Sequence, residues 1–304
     1  PNVGNWQYSK FSLMKIYFIV KPLGTYALKK LHKSIEATFD KKKDSLQILN
    51  TLKKGHAIDL AQKAIQEKAD LLVACGGDGT INEVARGLVG TEIPLAIIPL
   101  GSGNGIARHF KIPFGISQAV QLIKKNKVAK MDVGEVNGHY FFGNMGCALE
   151  SHFIRTYQKN KWHGIWAYII ALLDAILSFR YQKIKIEYDE NSQTISPFVM
   201  LVSNTNQQGY DFSLTPQALS NDGLMDVFWM ERSNFFNNFI FIVNALMGGK
   251  LTTKGCNLIR LSALKISLLE SSDLCVQIDG EFLLVKSKRL EVKVLPKQLN
   301  LIIP

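Results

Sequence analysis

The chain has 304 residues, enough for two domains that each bury a core of their own. Hydrophobic residues make up 47% and charged residues 20%, with 9 prolines, which excludes a disordered tail or a collagen-like fibre. Lys plus Arg is 36 against 25 for Asp plus Glu, and the resulting net charge of +11 favours an anionic partner. Nucleic acid, a phosphorylated small molecule and an anionic membrane surface all remain open on charge alone. Cys75, Cys147, Cys256 and Cys275 lie far apart without a C-x-x-C pair, so a disulfide scaffold or zinc ribbon is not expected and a reducing cytoplasm is. The six histidines are equally dispersed.

In chain order, residues 1–13 have no strong pattern and read as a cloning remnant or a loose extension, with a credible start at Met14 in MKIYFIV. They lack the features of a signal peptide. Ile16–Val20 reads as a strand, and Leu28, Leu31 and Ile35 repeat at helical spacing. Ala57, Leu60, Ala61, Ala64 and Ile65 form a second stripe, followed by the strand-like Leu71–Ala74. Ile81, Val84, Ala85 and Leu88, then Leu95–Ile98, then Ile116, Ala119, Val120 and Ile123 continue the alternation. Strands apolar throughout, alternating with amphipathic helices, predict a three-layer α/β domain around a parallel sheet, placed at 14–131.

From about Met131 the texture changes. Asn137-Gly138 is a two-residue hairpin signal, and 183–188, 198–203, 224–230, 259–268 and 274–295 are strand-rich. Helical stretches are expected near 165–179 and 235–247. Residues 132–304 are therefore read as an antiparallel β-sandwich with two helical insertions. The longest apolar stretch, Ile165–Phe179, holds 15 residues including Asp174, short of the roughly 20 that a spanning helix needs.

The most informative segment is LLVACGGDGTINEVARGL, residues 71–88, in which a buried strand runs through Gly76-Gly77-Asp78-Gly79-Thr80 straight into a helix. Glycines let backbone amides approach a phosphate, and a helix N-terminus adds its positive dipole. A tight turn capped by Asp78 or Thr80 uses the same residues. A second loop, Gly101-Ser102-Gly103-Asn104, repeats the design after the next strand. Neither loop is a Walker P-loop or a G-x-G-x-x-G fingerprint. Two such loops after neighbouring parallel strands converge at the carboxyl edge, where ligands bind.

Gly76–Thr80 with Asn82-Glu83, followed by Pro99-Leu100-Gly101-Ser102-Gly103-Asn104, resembles the diacylglycerol kinase catalytic domain family, which includes bacterial lipid kinases and the eukaryotic sphingosine and ceramide kinases. The Gly-Ser-Gly-Asn form is similar to the sphingosine and ceramide branch. Thr51, NDGLMDV and IDGE match further family motifs over most of the chain from Met14. The resemblance implies an α/β nucleotide domain joined to a β-sandwich, with the active site in the interdomain cleft. ATP would be held by Thr51, Gly76, Gly77, Asp78, Gly79, Thr80, Asn82, Gly101, Ser102, Gly103 and Asn104. Glu281 would be the general base, with Asp78 also catalytic through Mg²⁺ and triphosphate. A separate Mg²⁺ would sit at Asp222 and the carbonyls of Leu219 and Leu224, with Asp132 tied to the metal network. Turns account for Asp222 and for Asp279-Gly280-Glu281 on the residues alone.

One departure is the turn after the first strand: Lys21-Pro22-Leu23-Gly24-Thr25 stands where the family has N-P-x-S-G. Residues 155–168 interleave Arg155, Lys159 and Lys161 with Trp162, Trp166 and Tyr168, which suits a bilayer interface, single-stranded nucleic acid, or a solvated helix start with core tryptophans. The combined reading is a cytoplasmic kinase, peripheral on the inner membrane surface. Its expected partner is a lipid rather than nucleic acid, and a homodimer is compatible with it. The alternatives are an NAD kinase and a catalytically weak nucleotide- or lipid-binding regulator.

Overall fold

The computed structural model describes residues 4–5, 13–40, 42–159, 165–208, 213–246, 255–269 and 274–304. The chain forms two compact units, Pro1–Val133 with Pro296–Pro304, and Gly134–Leu295. The last nine residues thus belong to the first unit, whereas the expected second domain, 132–304, includes them.

The first unit contains β1 (Gly4–Asn5), β2 (Met14–Val20), α1 (Thr25–Thr38), β3 (Asp44–Asn50), α2 (His56–Gln66), β4 (Leu71–Gly76) and α3 (Asp78–Leu88). It continues with β5 (Leu95–Pro99), α4 (Gly105–His109), α5 (Ile116–Lys125) and β6 (Lys127–Val136), which leads into the second unit. Within it the parallel strands run β5-β4-β2-β3, with Ile16 of β2 between Leu46 and Leu71. Each of β4 and β5 is buried along its whole length, as an apolar run in a covered parallel sheet should be. β3, DSLQILN, takes the edge and is only half-buried, which is why it can carry polar residues at most positions. α1 packs beside α5 and α2 beside α3, turning Leu31 and Ile35, and Ala57, Ala61 and Ala64, inward. Residues 1–3 and 6–12 of the expected extension lie outside the described residues; Gly4 and Asn5 pair with the start of β6.

The second unit holds β7 (His139–Phe141), β8 (Asn144–Gly146), α6 (Leu149–Lys159), α7 (Ile165–Ser178), β9 (Ile184–Tyr188), β10 (Asn191–Ile195) and β11 (Pro197–Ser203). β12 (Met225–Glu231), α8 (Phe235–Leu246), β13 (Cys256–Leu261), β14 (Ala263–Leu268), β15 (Leu274–Ile278) and β16 (Glu281–Val285) follow. β17 (Arg289–Ile302) returns the chain to the first unit, where Leu301 pairs with Leu95 of β5. One antiparallel sheet runs β13-β12-β11-β8-β15-β16. A second antiparallel set, β10-β9-β14 with the first part of β17, faces it across a core that includes Ile186, Ile266 and Val292 against Met200, Val227 and Val276. The expected strand 259–268 is two strands broken at Ser262, one in each sheet. Three described helices, not two, cover the outer face of the first sheet: Phe153 of α6, Ala171 of α7 and Phe241 of α8 pack on Phe198 and Phe228. Covered on both sides, β11 (PFVMLVS) is buried throughout.

Candidate active site

In the first unit, β3 lies on one side of β2 and β4 on the other, so the loops leaving β2 and β4 diverge at the carboxyl edge. That divergence opens the crevice in which α/β sheets take ligands. The strand ends are fastened together, with Lys21 N–H donating to Cys75 O (3.0 Å) and Thr51 N–H to Val20 O (2.8 Å). The Lys21–Thr25 turn feeds α1 through Gly24, whose position has no side-chain cap.

The two glycine loops meet backbone to backbone. A Cβ on Gly101 would stand 2.5 Å from the Gly77 Cα and 2.8 Å from Asn104 Oδ1, so no larger residue fits. Asn104 closes its own loop, its Oδ1 accepting from Gly101 N–H (3.0 Å) and its Nδ2 donating to Gly101 O (2.8 Å). Arg108 Nε donates to Gly103 O (3.0 Å). Asp78 then binds one loop to the other: Oδ2 accepts from Asn104 N–H and Oδ1 from Gly105 N–H, both at 2.8 Å. Burial pushes the Asp78 carboxyl above its ordinary pKa, opposed by these N–H groups and by Arg108. Both Asp78 oxygens are engaged in this clasp, by which Asp78 positions the two loops against each other.

The neighbouring Glu83 performs a similar service. Its Oε1 accepts from Gly55 N–H (2.8 Å) and its Oε2 from Ala57 N–H (3.0 Å), capping α2 and fixing the loop that begins at the buried Thr51. Asn82 is buried beside it in α3, while Gly79 is exposed and Thr80 half-buried in the first turn of that helix, and Ser102 is exposed on its loop. The expected nucleotide residues are thus brought to one edge of one unit. Asp132, also in this unit, is fully buried and accepts from Lys297 N–H (2.7 Å), which anchors the returning strand.

Glu281 opens β16 directly across from Ile278, after a two-residue turn in which Asp279 (φ 48°) and Gly280 (φ 81°) are both left-handed. The turn is tied down by Asp279, whose carboxylate accepts from the N–H groups of Phe142 (2.8 Å), Gly143 (2.8 Å) and Asn144 (2.9 Å). Asn144 Oδ1 in turn accepts from Gln277 Nε2 (2.7 Å). Glu281 is half-buried on this fixed frame.

The expected metal group is arranged differently. Asp222 Oδ1 accepts from Leu224 N–H (3.1 Å), and its Oδ2 is paired with the guanidinium of Arg260. Arg260 Nε also lies 3.6 Å from Asp226 Oδ2, and Asp226 is buried. Burial pushes the Asp226 carboxyl up, with Arg260 opposing. A guanidinium therefore stands against the Asp222 carboxylate in this structure. Among the described residues no three His, Cys, Asp or Glu side chains gather as a metal-holding group. Glu83, Asp279, Asp226 and Arg260 were given no role by sequence reasoning, since each acts through partners distant in the chain. Glu83, Asp226 and Asp279 had a signal in their places within the quoted Asn82-Glu83, NDGLMDV and IDGE motifs, and Arg260 had none.

One unit is thus a parallel sheet with two clasped glycine loops at its carboxyl edge, and the other an antiparallel sandwich. Residues 15–136 match the diacylglycerol kinase catalytic domain, and residues 148–303 match the YegS C-terminal NAD kinase beta sandwich-like domain. A diacylglycerol kinase of Staphylococcus epidermidis is 30% identical over 238 residues, spanning 76% of this chain and 74% of its own. A YegS-like lipid kinase of Pectobacterium atrosepticum is 28% identical over 278 residues, spanning 88% and 90%. The crystal structure of a Bacillus anthracis diacylglycerol kinase shares the fold, with a TM-score of 0.73 at 23% identity over 98% of both chains. The chain belongs to the diacylglycerol kinase family of lipid kinases. Membership implies ATP as phosphoryl donor. NAD kinase enters only through the description of the sandwich, and the NAD kinase alternative falls away.

Proposed function

We infer that this chain transfers the γ-phosphoryl group of ATP to a hydroxyl of a diacylglycerol-like or sphingoid lipid, working from the cytoplasm at the inner membrane surface. The observation that carries the reading is the Asp78 clasp between the glycine loops. Phosphoryl transfer asks a protein mainly for positioning and charge neutralisation. The clasp supports both, because it holds backbone N–H groups in place before substrate arrives. The first-turn amides of α3, around Gly79 and Thr80, have no partner within their helix and carry the positive end of its dipole. Thr51 and Ser102 offer hydroxyls at the same edge.

Mg²⁺ arriving with the triphosphate would neutralise charge on its oxygens, consistent with a small cation that is held largely by substrate phosphates and water. Glu281 accepts the proton of the lipid hydroxyl as that oxygen attacks the γ-phosphorus. The bond from phosphorus to the bridging oxygen breaks, ADP leaves, and the proton passes from Glu281 to water. The test is labelled ATP with a panel of lipids and NAD, beside Glu281→Gln. That variant should lose roughly 10²–10⁴-fold in kcat while calorimetry finds ATP binding intact. A wild-type rate in the variant removes Glu281 from this role, and no labelled lipid from the native chain refutes the kinase reading.

A further inference from the structure

Helices α7 and α8 are patterned inside out. α7 turns the small Ala171 and Ala175 inward, both 0% exposed, and leaves Ile170 58% and Leu177 74% exposed, with Ile169 and Leu173 beside them. α8 buries a polar residue, Asn238, and holds out Phe235 (61%) and Phe236 (68%) with Phe239 and Ile240. An ordinary surface helix does the reverse, since large apolar side chains are what drive a helix onto a core. Eight such side chains on two helices far exceed scattered surface apolar residues and mark a contact surface.

The two helices cover one core and are linked at one end. Ala171, Ala175, Phe241 and Ala245 belong to a single buried cluster. At one end Tyr181, just beyond α7, accepts from Asn238 Nδ2 of α8 (2.6 Å) and lies 5.0 Å beneath the Arg232 guanidinium. Leu177 stands four residues before this tyrosine and Phe235–Phe236 just before its partner Asn238, with Arg180 and Arg232 both exposed. Asp174 is the single acid on the described part of these two helices. No described helix is long and apolar enough to cross a membrane.

We propose that the outward faces of α7 and α8 form the surface by which this chain docks on an anionic bilayer, with the apolar side chains entering the interface and Arg180 and Arg232 meeting acidic headgroups. Apolar insertion combined with a basic rim is the combination by which interfacial helices bind such membranes. Charge selects this occupant over a second copy of the chain, which would bring the same arginines and the same +11 net charge to the contact. The choice of a bilayer also rests on the lipid-kinase reading, because that acceptor resides in one. Within the basic-aromatic stretch at 155–168, Arg155 lies over the Phe282 ring at 5.5 Å, and Lys161 and Trp162 lie outside the described residues.

The experiment uses the full chain with phosphatidylcholine vesicles, with and without phosphatidylglycerol. The variants are Leu173→Ser with Leu177→Ser, and Phe235→Ser with Phe236→Ser, each checked by circular dichroism and melting. Each pair should weaken vesicle partitioning by at least about tenfold. Phosphorylation of a soluble short-chain diacylglycerol should stay at the native rate, while that of a long-chain acceptor in vesicles falls. Arg180→Glu, which removes no apolar anchor, should abolish the preference for phosphatidylglycerol at low salt. Unchanged vesicle binding in both serine variants overturns the proposal. So does a native dimer that the substitutions split while vesicle binding persists, since the face would then join two copies. If the native chain phosphorylates no lipid and the variants still lose vesicle binding, the docking face stands and the kinase reading falls.

Discussion

Replacing Asp78 by asparagine separates two accounts of this carboxylate. In the structure its two oxygens accept from Asn104 N–H and Gly105 N–H, each at 2.8 Å, in a buried setting. The asparagine side chain keeps one acceptor and turns an NH₂ group toward the other backbone N–H. One hydrogen bond to a charged group, worth about 1.5–3 kcal/mol, is lost, and a buried donor is left facing a donor. The clasp should weaken by about 3 kcal/mol in all, equivalent to about a hundredfold at 1.4 kcal/mol per decade. If ATP binds only to clasped loops, its Kd should rise by up to that factor. Calorimetric titration of ATP, once with Mg²⁺ and once with EDTA, provides the discrimination. A positioning role predicts the same fold loss in both buffers, whereas a carboxylate that holds the metal predicts a loss only when Mg²⁺ is present. An unchanged Kd in EDTA would refute the clasp as the reason this residue matters.

Two further outcomes can be checked on stability alone. Burial pushes Glu150 up to about 8, so its neutral form is favoured in the fold; the stability this gives is complete below about pH 4 and is lost at about 1.4 kcal/mol per pH unit as pH rises toward 8. Glu150→Gln should flatten that decline in thermal melts between about pH 5 and pH 8, and equal slopes in the two proteins would contradict the assignment. Arg260→Ala leaves Asp222 beside the buried Asp226 without their shared cation and, with the arginine side chain 41% exposed, should cost about 1–2 kcal/mol. Millimolar Mg²⁺ should restore part of the variant's melting temperature and leave the nucleotide-free native protein unmoved; a Mg²⁺-dependent rise in the native protein would show that the guanidinium does not fill this place.

The parallel sheet was legible because its strands are buried on both faces and so read as unbroken apolar runs. β3 and β10 were not, for the same reason inverted: edge strands tolerate the polar residues of DSLQILN and NSQTI, and no periodicity survives. The break at Ser262 is invisible in a run of alternating residues, because strands of either sheet in a sandwich alternate alike. The site was legible to the extent that it is local. The two glycine loops and the Asp279-Gly280 turn announce themselves by backbone requirement. What Asp78 and Asp279 do with their carboxylates depends on partners 26 and 137 residues away in the chain, and composition carries no trace of that.

The return of Pro296–Pro304 to the first unit has a consequence for how the protein is made. Leu299, Leu301 and Ile302 are buried there, and Leu301 closes the side of β5 that would otherwise stand open. The part of the chain translated first is therefore the part finished last: through synthesis of the whole sandwich, the nucleotide unit waits with a bare strand edge beside its glycine loops. Such an edge invites pairing with other chains. A nascent chain stalled just short of Pro296 would hold all of the second unit, Phe198 and Phe228 included, yet could not complete the sheet that carries its kinase loops.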